Sequence, residues 1–165
     1  MAPPAPGALD DLLAEGQERI TAYGMLLEAR ASLVSAVADE LEATSGLSPA
    51  WFEVLVRLAR SPGKQMRMSE LAAQVLFSTS GLTRLIDRME HAALVRRESC
   101  PDDRRGAFAV LTDDGLAALE RALPAHLESL DRHLVDPLGA RGLATLTALL
   151  ERLRDATRSA DPADA

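Results

Sequence analysis

The stretch STSGLTRLIDRMEH, residues 78–91, is dense in side-chain hydrogen-bond donors: Ser78, Thr79, Ser80, Thr83, Arg84 and Arg88. A second set follows at 96–105, where Arg96, Arg97, Arg104 and Arg105 stand among Glu98, Asp102 and Asp103. No Ser-His-Asp order, paired carboxylate or phosphate-cradling glycine loop accompanies them, so bond-making chemistry has no support and the chain reads as a non-enzyme. Hydroxyls and guanidinium groups at these spacings suit binding. A guanidinium offers a planar fork of donors that meets a phosphate or the edge of a guanine with two parallel hydrogen bonds. A carboxylate such as Asp102 or Asp103 can hold a neighbouring guanidinium in place.

Positioning those groups requires two kinds of element. Over 80–92, Leu82, Leu85, Ile86 and Met89 recur at helical spacing and define one narrow core face. At about 100° per residue, Ser80, Arg84, Asp87 and His91 lie opposite that face, with Thr83 and Arg88 on its flanks. After Leu94 the period changes to two. Arg96 and Arg97 then point to opposite faces of a strand, so one of them at most faces a phosphate. A six-residue loop at 101–106 and a second strand at 107–112 complete a predicted β-hairpin.

Upstream, Ile20, Tyr23, Leu26, Leu27, Leu33, Val34, Val37 and Leu41 predict a helix over about 9–41. Ser48 followed by Pro49 predicts the start of another, stopped at SPGK. Met66 and Met68 flank Arg67 in a short strand pattern, and Ser69 is the expected cap of the following helix. Thr112, with Asp113 and Asp114 after it, caps a leucine-rich helix in which Pro124 predicts a kink and Pro137 the end. The last predicted helix covers about 141–156. Two short helices with an Arg-bearing second helix and a basic hairpin behind it describe a winged helix-turn-helix.

The wing segment DRRGAFAVLTDDG resembles the MarR family of bacterial transcription regulators, the multiple-antibiotic-resistance regulator type. Asp103, Arg105, Leu111, Thr112 and Gly115 match its D-x-R, five residues, L-T-x-x-G pattern, and STSGLTRLIDRMEHAALVRR resembles its recognition helix and first wing strand. Ala93 departs from the usual glycine and predicts a slightly longer helix. The resemblance covers about 20–156 and implies a mainly α fold with a small β-wing, in which N- and C-terminal helices dimerise. The corresponding division is an arm and dimerisation helix at 1–47, a DNA-binding region at 48–112, and dimerisation helices with a tail at 113–165. It further implies a homodimer on a pseudo-palindromic operator in double-stranded DNA, usually as a repressor. Ser78, Thr79, Ser80, Thr83, Arg84, Arg88, Arg97, Asp103, Arg104 and Arg105 become the candidate DNA-binding residues. A small aromatic or phenolic ligand would sit near the first, second and fifth helices, which makes Tyr23, Arg30, Trp51, Phe52 and His126 its candidates.

Composition sets limits on these readings. At 165 residues and 47% hydrophobic the chain can bury one good core, and aromatics at 3% favour aliphatic helix packing. The net charge of −7 argues against a nucleic-acid partner, yet nine basic residues face six acids between 60 and 105. No apolar run reaches the roughly 20 residues of a membrane span, and MAPPAPGALDD lacks the marks of a signal peptide, so a cytoplasmic protein without membrane contact is expected. Cys100 stands alone, without an intrachain partner, and a redox switch there is an alternative to ligand control. His91, His126 and His133 lack metal-ligand spacing, and no cofactor is expected. A winged helix used for protein contact, or a DNA-binding regulator without any ligand, are the remaining alternatives.

Overall fold

The computed structural model describes residues 8–75, 77–100 and 103–158, with side chains described for 9–75, 77–100 and 106–157. Helix α1 (Ala8–Ser45) is followed by α2 (Pro49–Arg60), a 3-10 turn (Pro62–Lys64), β1 (Gln65–Arg67), α3 (Met68–Gln74) and α4 (Thr79–His91). Strands β2 (Val95–Cys100) and β3 (Asp103–Leu111) lead into α5 (Asp113–Leu130), a π-helical turn (Asp131–Val135) and α6 (Asp136–Arg158). The fold is thus mainly helical with one small sheet. By contacts the chain forms two compact units, Met1–Ala36 and Val37–Ala165.

In the first unit α1 carries Leu9, Leu12, Leu13, Ile20, Tyr23 and Leu27 exposed to solvent. Arg30 is exposed as well.

The second unit has a single aliphatic core. Leu55 and Leu58 of α2, Leu71 of α3, and Leu82, Leu85, Ile86 and Met89 of α4 are all but completely buried, joined by Ala109 and Leu111 of β3 and Leu119 and Ala122 of α5. Burial of each large side chain of this kind stabilises by about 1.5–3 kcal/mol. The four α4 residues are the ones whose spacing predicted its core face. Three antiparallel strands lie in the order β1-β3-β2, with Met66 opposite Ala109 and Val95 opposite Leu111.

Local sequence accounts for the starts of α2, α4 and α5. Ser48, extended at φ −66°, accepts a hydrogen bond from the Trp51 N–H, and Pro49 follows it. Ser78 accepts from the Gly81 N–H at 3.1 Å, and Thr112 from the Gly115 N–H at 3.0 Å.

Four sequence expectations are corrected. Ser69 does not cap α3: the helix begins at Met68, with Arg67 in the cap position and no side-chain cap bond. The six-residue wing loop does not form, because β3 already starts at Asp103, which pairs with Cys100 beyond an irregularity at Ser99/Cys100. Pro137 does not end its helix. Helical backbone continues from the π turn through Asp136 past it, and the helical dihedrals fail instead at Gly139, with φ 65° and ψ 169°. Nor does Ala93 prolong α4: it takes the left-handed conformation at φ 60°, and the helix ends at His91. The Leu94 N–H returns to the Met89 carbonyl at 3.0 Å and the Ala93 N–H to the Glu90 carbonyl at 2.9 Å, which is a Schellman motif.

Candidate nucleic-acid interface

The outer face of α4 follows from its inner one. With Leu82, Leu85, Ile86 and Met89 turned into the core, Thr79, Ser80, Thr83, Arg84 and Arg88 are exposed together with the cap residue Ser78. Arg84 and Arg88 have no side-chain hydrogen bond or ion pair among the described residues, so both forks are free to bind. The hydroxyls are partly engaged: Thr83 donates to the Thr79 carbonyl at 2.9 Å, and the Ser78 and Ser80 oxygens lie 3.4 Å apart. The Ser78 oxygen also accepts from the Gly81 N–H at 3.1 Å. The helix N-terminus at Thr79 adds a partial positive charge to the same end.

Arg97 behaves differently from Arg84. Its Nη1 lies 2.6 Å from Asp87 Oδ1, and its Nη2 donates to the Thr83 carbonyl at 2.9 Å. Its backbone N–H donates to Glu90 Oε1 at 2.9 Å. The guanidinium read from sequence as a DNA contact is therefore committed to α4. Arg96, on the other face of the strand, is held by Glu98 at 2.7 Å. Asp103, Arg104 and Arg105 belong to β3 by their backbone, while their side chains lie outside the described residues. On the neighbouring strand the Arg67 guanidinium lies 5.4 Å from the centre of the Phe108 ring.

The wing is attached at its base by three residues of the L-T-x-x-G pattern. Leu111 is buried in the core, and Thr112 both caps α5 and donates through Oγ1 to the Ala93 carbonyl at 2.6 Å. Gly115 is buried against Leu94, and a Cβ at that position would overlap the Leu94 carbonyl oxygen and come within 2.9 Å of Leu111 Cδ1. Cys100 is buried at the end of β2.

Of the ligand candidates, Phe52 on α2 and His126 on α5 are brought together, their ring centroids 4.4 Å apart and tilted by 47°. Burial holds the imidazole below its ordinary pKa, and its Nδ1 is enclosed without a hydrogen-bond partner among the described residues. One turn along α5, Ser129 is fully buried, and its hydroxyl is one of the groups that lower the Glu40 carboxyl pKa. Trp51 is half-buried against the core. Tyr23 and Arg30 are exposed on α1 within the first unit.

Sequence reasoning missed a second charged cluster. Glu40 accepts from Arg132 Nη2 at 2.7 Å and pairs with His133 Nε2 at 2.9 Å. Chiefly through the His133 contact, its carboxyl pKa falls from the ordinary 4.5 to about 2. The partners stand more than ninety residues apart, on α1 and the π turn, so no local pattern announces them.

A helix-turn-helix with an exposed, Arg-bearing second helix, followed by a β2–β3 hairpin that β1 completes to a small sheet, defines a winged-helix protein of the DNA-binding type. The family model described as MarR family matches residues 45–106. The chain is 30% identical over 122 residues to the HTH-type transcriptional regulator PecS of Dickeya dadantii, covering 73% of each. Among solved structures it resembles AbsC, a MarR family transcriptional regulator from Streptomyces coelicolor, with 40% identity, a TM-score of 0.78, and coverage of 84% of this chain and 93% of that one. Sco3205, a MarR family regulator of the same organism solved in complex with DNA, aligns at 32% identity and a TM-score of 0.78 over 90% of this chain and 91% of its own. The chain belongs to the MarR family of transcriptional regulators.

Proposed function

We propose that the protein is a homodimeric, sequence-specific DNA-binding regulator that represses transcription from a pseudo-palindromic operator and responds to a small aromatic or phenolic ligand. The observation that carries the DNA reading is the pair of unengaged forks on α4. Arg84 and Arg88 project beside four hydroxyl-bearing residues from a helix whose opposite face is locked into the core. Such a helix fits the major groove, where an arginine reads guanine through O6 and N7. Arg104 and Arg105, at the far end of the hairpin, would track the flanking backbone or a narrow minor groove, with Asp103 orienting them. The DNA-bound relative Sco3205 supports the same reading.

A second copy is the partner suggested by the exposed leucines Leu149, Leu150 and Leu153 of α6 and by the apolar residues of α1. A dimer would place its two recognition helices about 34–36 Å apart, one turn of duplex. Ligand control is supported by the enclosed, unpartnered His126 Nδ1 beside Phe52, since buried polar atoms ordinarily have partners. A ligand bound there would release DNA only to the extent that it prefers the spacing that does not fit the operator.

Selection from a random duplex pool at two salt concentrations tests the reading. Recovery of a pseudo-palindrome with half-sites one turn apart is expected, with affinity falling steeply between about 50 and 200 mM salt. Recovery of no motif, with weak retention at low salt, would reject it in favour of a protein-contact module.

A further inference from the structure

We propose that Arg97 is a positioning residue that fixes the angle between the wing and the recognition helix, and that it contacts α4 in place of DNA. Three bonds converge on this one residue. The guanidinium spans from Asp87 Oδ1 at 2.6 Å to the Thr83 carbonyl at 2.9 Å, and the backbone N–H reaches Glu90 Oε1 at 2.9 Å. Thr83, Asp87 and Glu90 succeed one another at helical spacings of four and three, so they form one stripe along α4. That stripe lies beside the one carrying Arg84 and Arg88. Strand β2 is an edge of the sheet, paired among the described residues with β3 alone, and Glu90 occupies an N–H that the edge would otherwise leave open.

The chemistry favours orientation over stability. The Arg97 and Asp87 side chains are 30% and 44% exposed, and ion pairs with that much solvent contribute little to global folding. A planar fork anchored at two points does, however, fix direction, which a lysine reaching one point would not. The wing then arrives at the duplex in a set register relative to Arg84. A site pre-organised in this way binds more tightly than one that must be ordered on contact.

The geometry stands by itself, whereas its consequence for binding rests on the DNA-binding reading, and the experiment separates the two. Full-length Arg97→Ala, Arg97→Lys, Asp87→Asn and the Arg97→Ala/Asp87→Asn double variant are compared with the parent. In the free protein, amide hydrogen exchange over 95–100 should rise alike in Arg97→Ala and Asp87→Asn. Unchanged exchange in both would overturn the proposal without reference to DNA. On duplex, each single variant should bind about tenfold more weakly with the parent's salt slope, Lys should rescue incompletely, and the double variant should be no worse than either single one. The proposal is overturned if Asp87→Asn binds as tightly as the parent while Arg97→Ala lowers the slope by about 0.9, the signature of one lost phosphate contact. If the parent itself shows no salt-dependent duplex binding, the functional reading fails, and the exchange measurement alone decides the role of Arg97. Asp87→Asn keeps the side-chain shape, so the test survives if Arg97→Ala does not fold.

Discussion

Replacing Gly115 by alanine inserts one methyl group where α5 begins, and the structure predicts a loss far beyond what helix propensity allows. The new Cβ would overlap the Leu94 carbonyl oxygen, 3.0 Å from its carbonyl carbon and 2.9 Å from Leu111 Cδ1. A backbone carbonyl cannot rotate away as a side chain can, so the first turn of α5 must move. Overpacking of this kind costs about 1–3 kcal/mol. The shift also strains the Thr112 N–H to Leu94 carbonyl bond, 3.3 Å long, and the Thr112 cap on the Gly115 N–H, each worth about 1 kcal/mol. Against this, alanine in a helix is favoured over glycine by about 1 kcal/mol. The net expectation is a loss of about 2–4 kcal/mol. Urea unfolding followed by circular dichroism, at one fixed protein concentration because a dimer's stability depends on it, should show the midpoint falling by about 1–2 M with the slope unchanged. An unchanged or raised midpoint would mean that propensity dominates and that the close approach to Leu94 is not a constraint.

Ala93→Gly should act in the opposite sense and stabilise by about 1 kcal/mol, because Ala93 holds φ 60° at the end of α4; the same urea titration checks it. Arg84→Ala should cost about 1–3 kcal/mol of operator binding and relax preference at one base pair, as read by selection from a randomised operator; an unaltered preference removes Arg84 as a reader. Arg105→Ala should weaken binding to most sequences alike and reduce the logarithmic salt slope by about 1. Glu40 supplies a pH test. Its folded pKa of about 2 lies below the unfolded 4.5, so its contribution is complete above the unfolded value and disappears as pH falls through that window. The midpoint difference between the parent and Glu40→Gln should therefore shrink on acidification from pH 4.5 toward 2, and a constant difference would assign the loss to packing.

What could be read in the sequence was local. Ser48 and Thr112 mark helix starts because each needs only an N–H a few residues ahead, and the α4 core face repeats within one helix. The hydroxyls and arginines on its outer face follow from the same repeat. Failures began where the outcome depended on a partner distant in sequence. The wing extends to Asp103 because β3 finds a strand to pair with, which outweighs the loop-like composition of 101–106. Arg97 looks like any other basic residue of a hairpin until β2 is laid against α4, ten residues from Asp87 in the chain. Ala93 differs in kind: its departure from the family's glycine suggests a longer helix, whereas the return bonds of Ala93 and Leu94 to Glu90 and Met89 close the helix behind it.

An acidic chain and a DNA-binding face are reconciled by where its acids are spent. Asp87 and Glu90 are the acids of α4 nearest the wing, and both accept from Arg97, while Glu98 is held by Arg96. On the outer face this leaves Arg84 and Arg88 among hydroxyls, without a carboxylate bonded to either among the described residues. At physiological salt a charge is screened over about 8 Å, so acids remote from α4 act weakly on a phosphate docked there. The chain's −7 then bears chiefly on encounters that lack close contact, which it disfavours. Non-specific attraction is kept low while the close contacts of a matched site are retained, and a regulator is limited by that ratio more than by its affinity alone. On the proposed reading, Asp87 is compatible with a DNA-reading α4 because its charge is neutralised by the Arg97 guanidinium bonded to it.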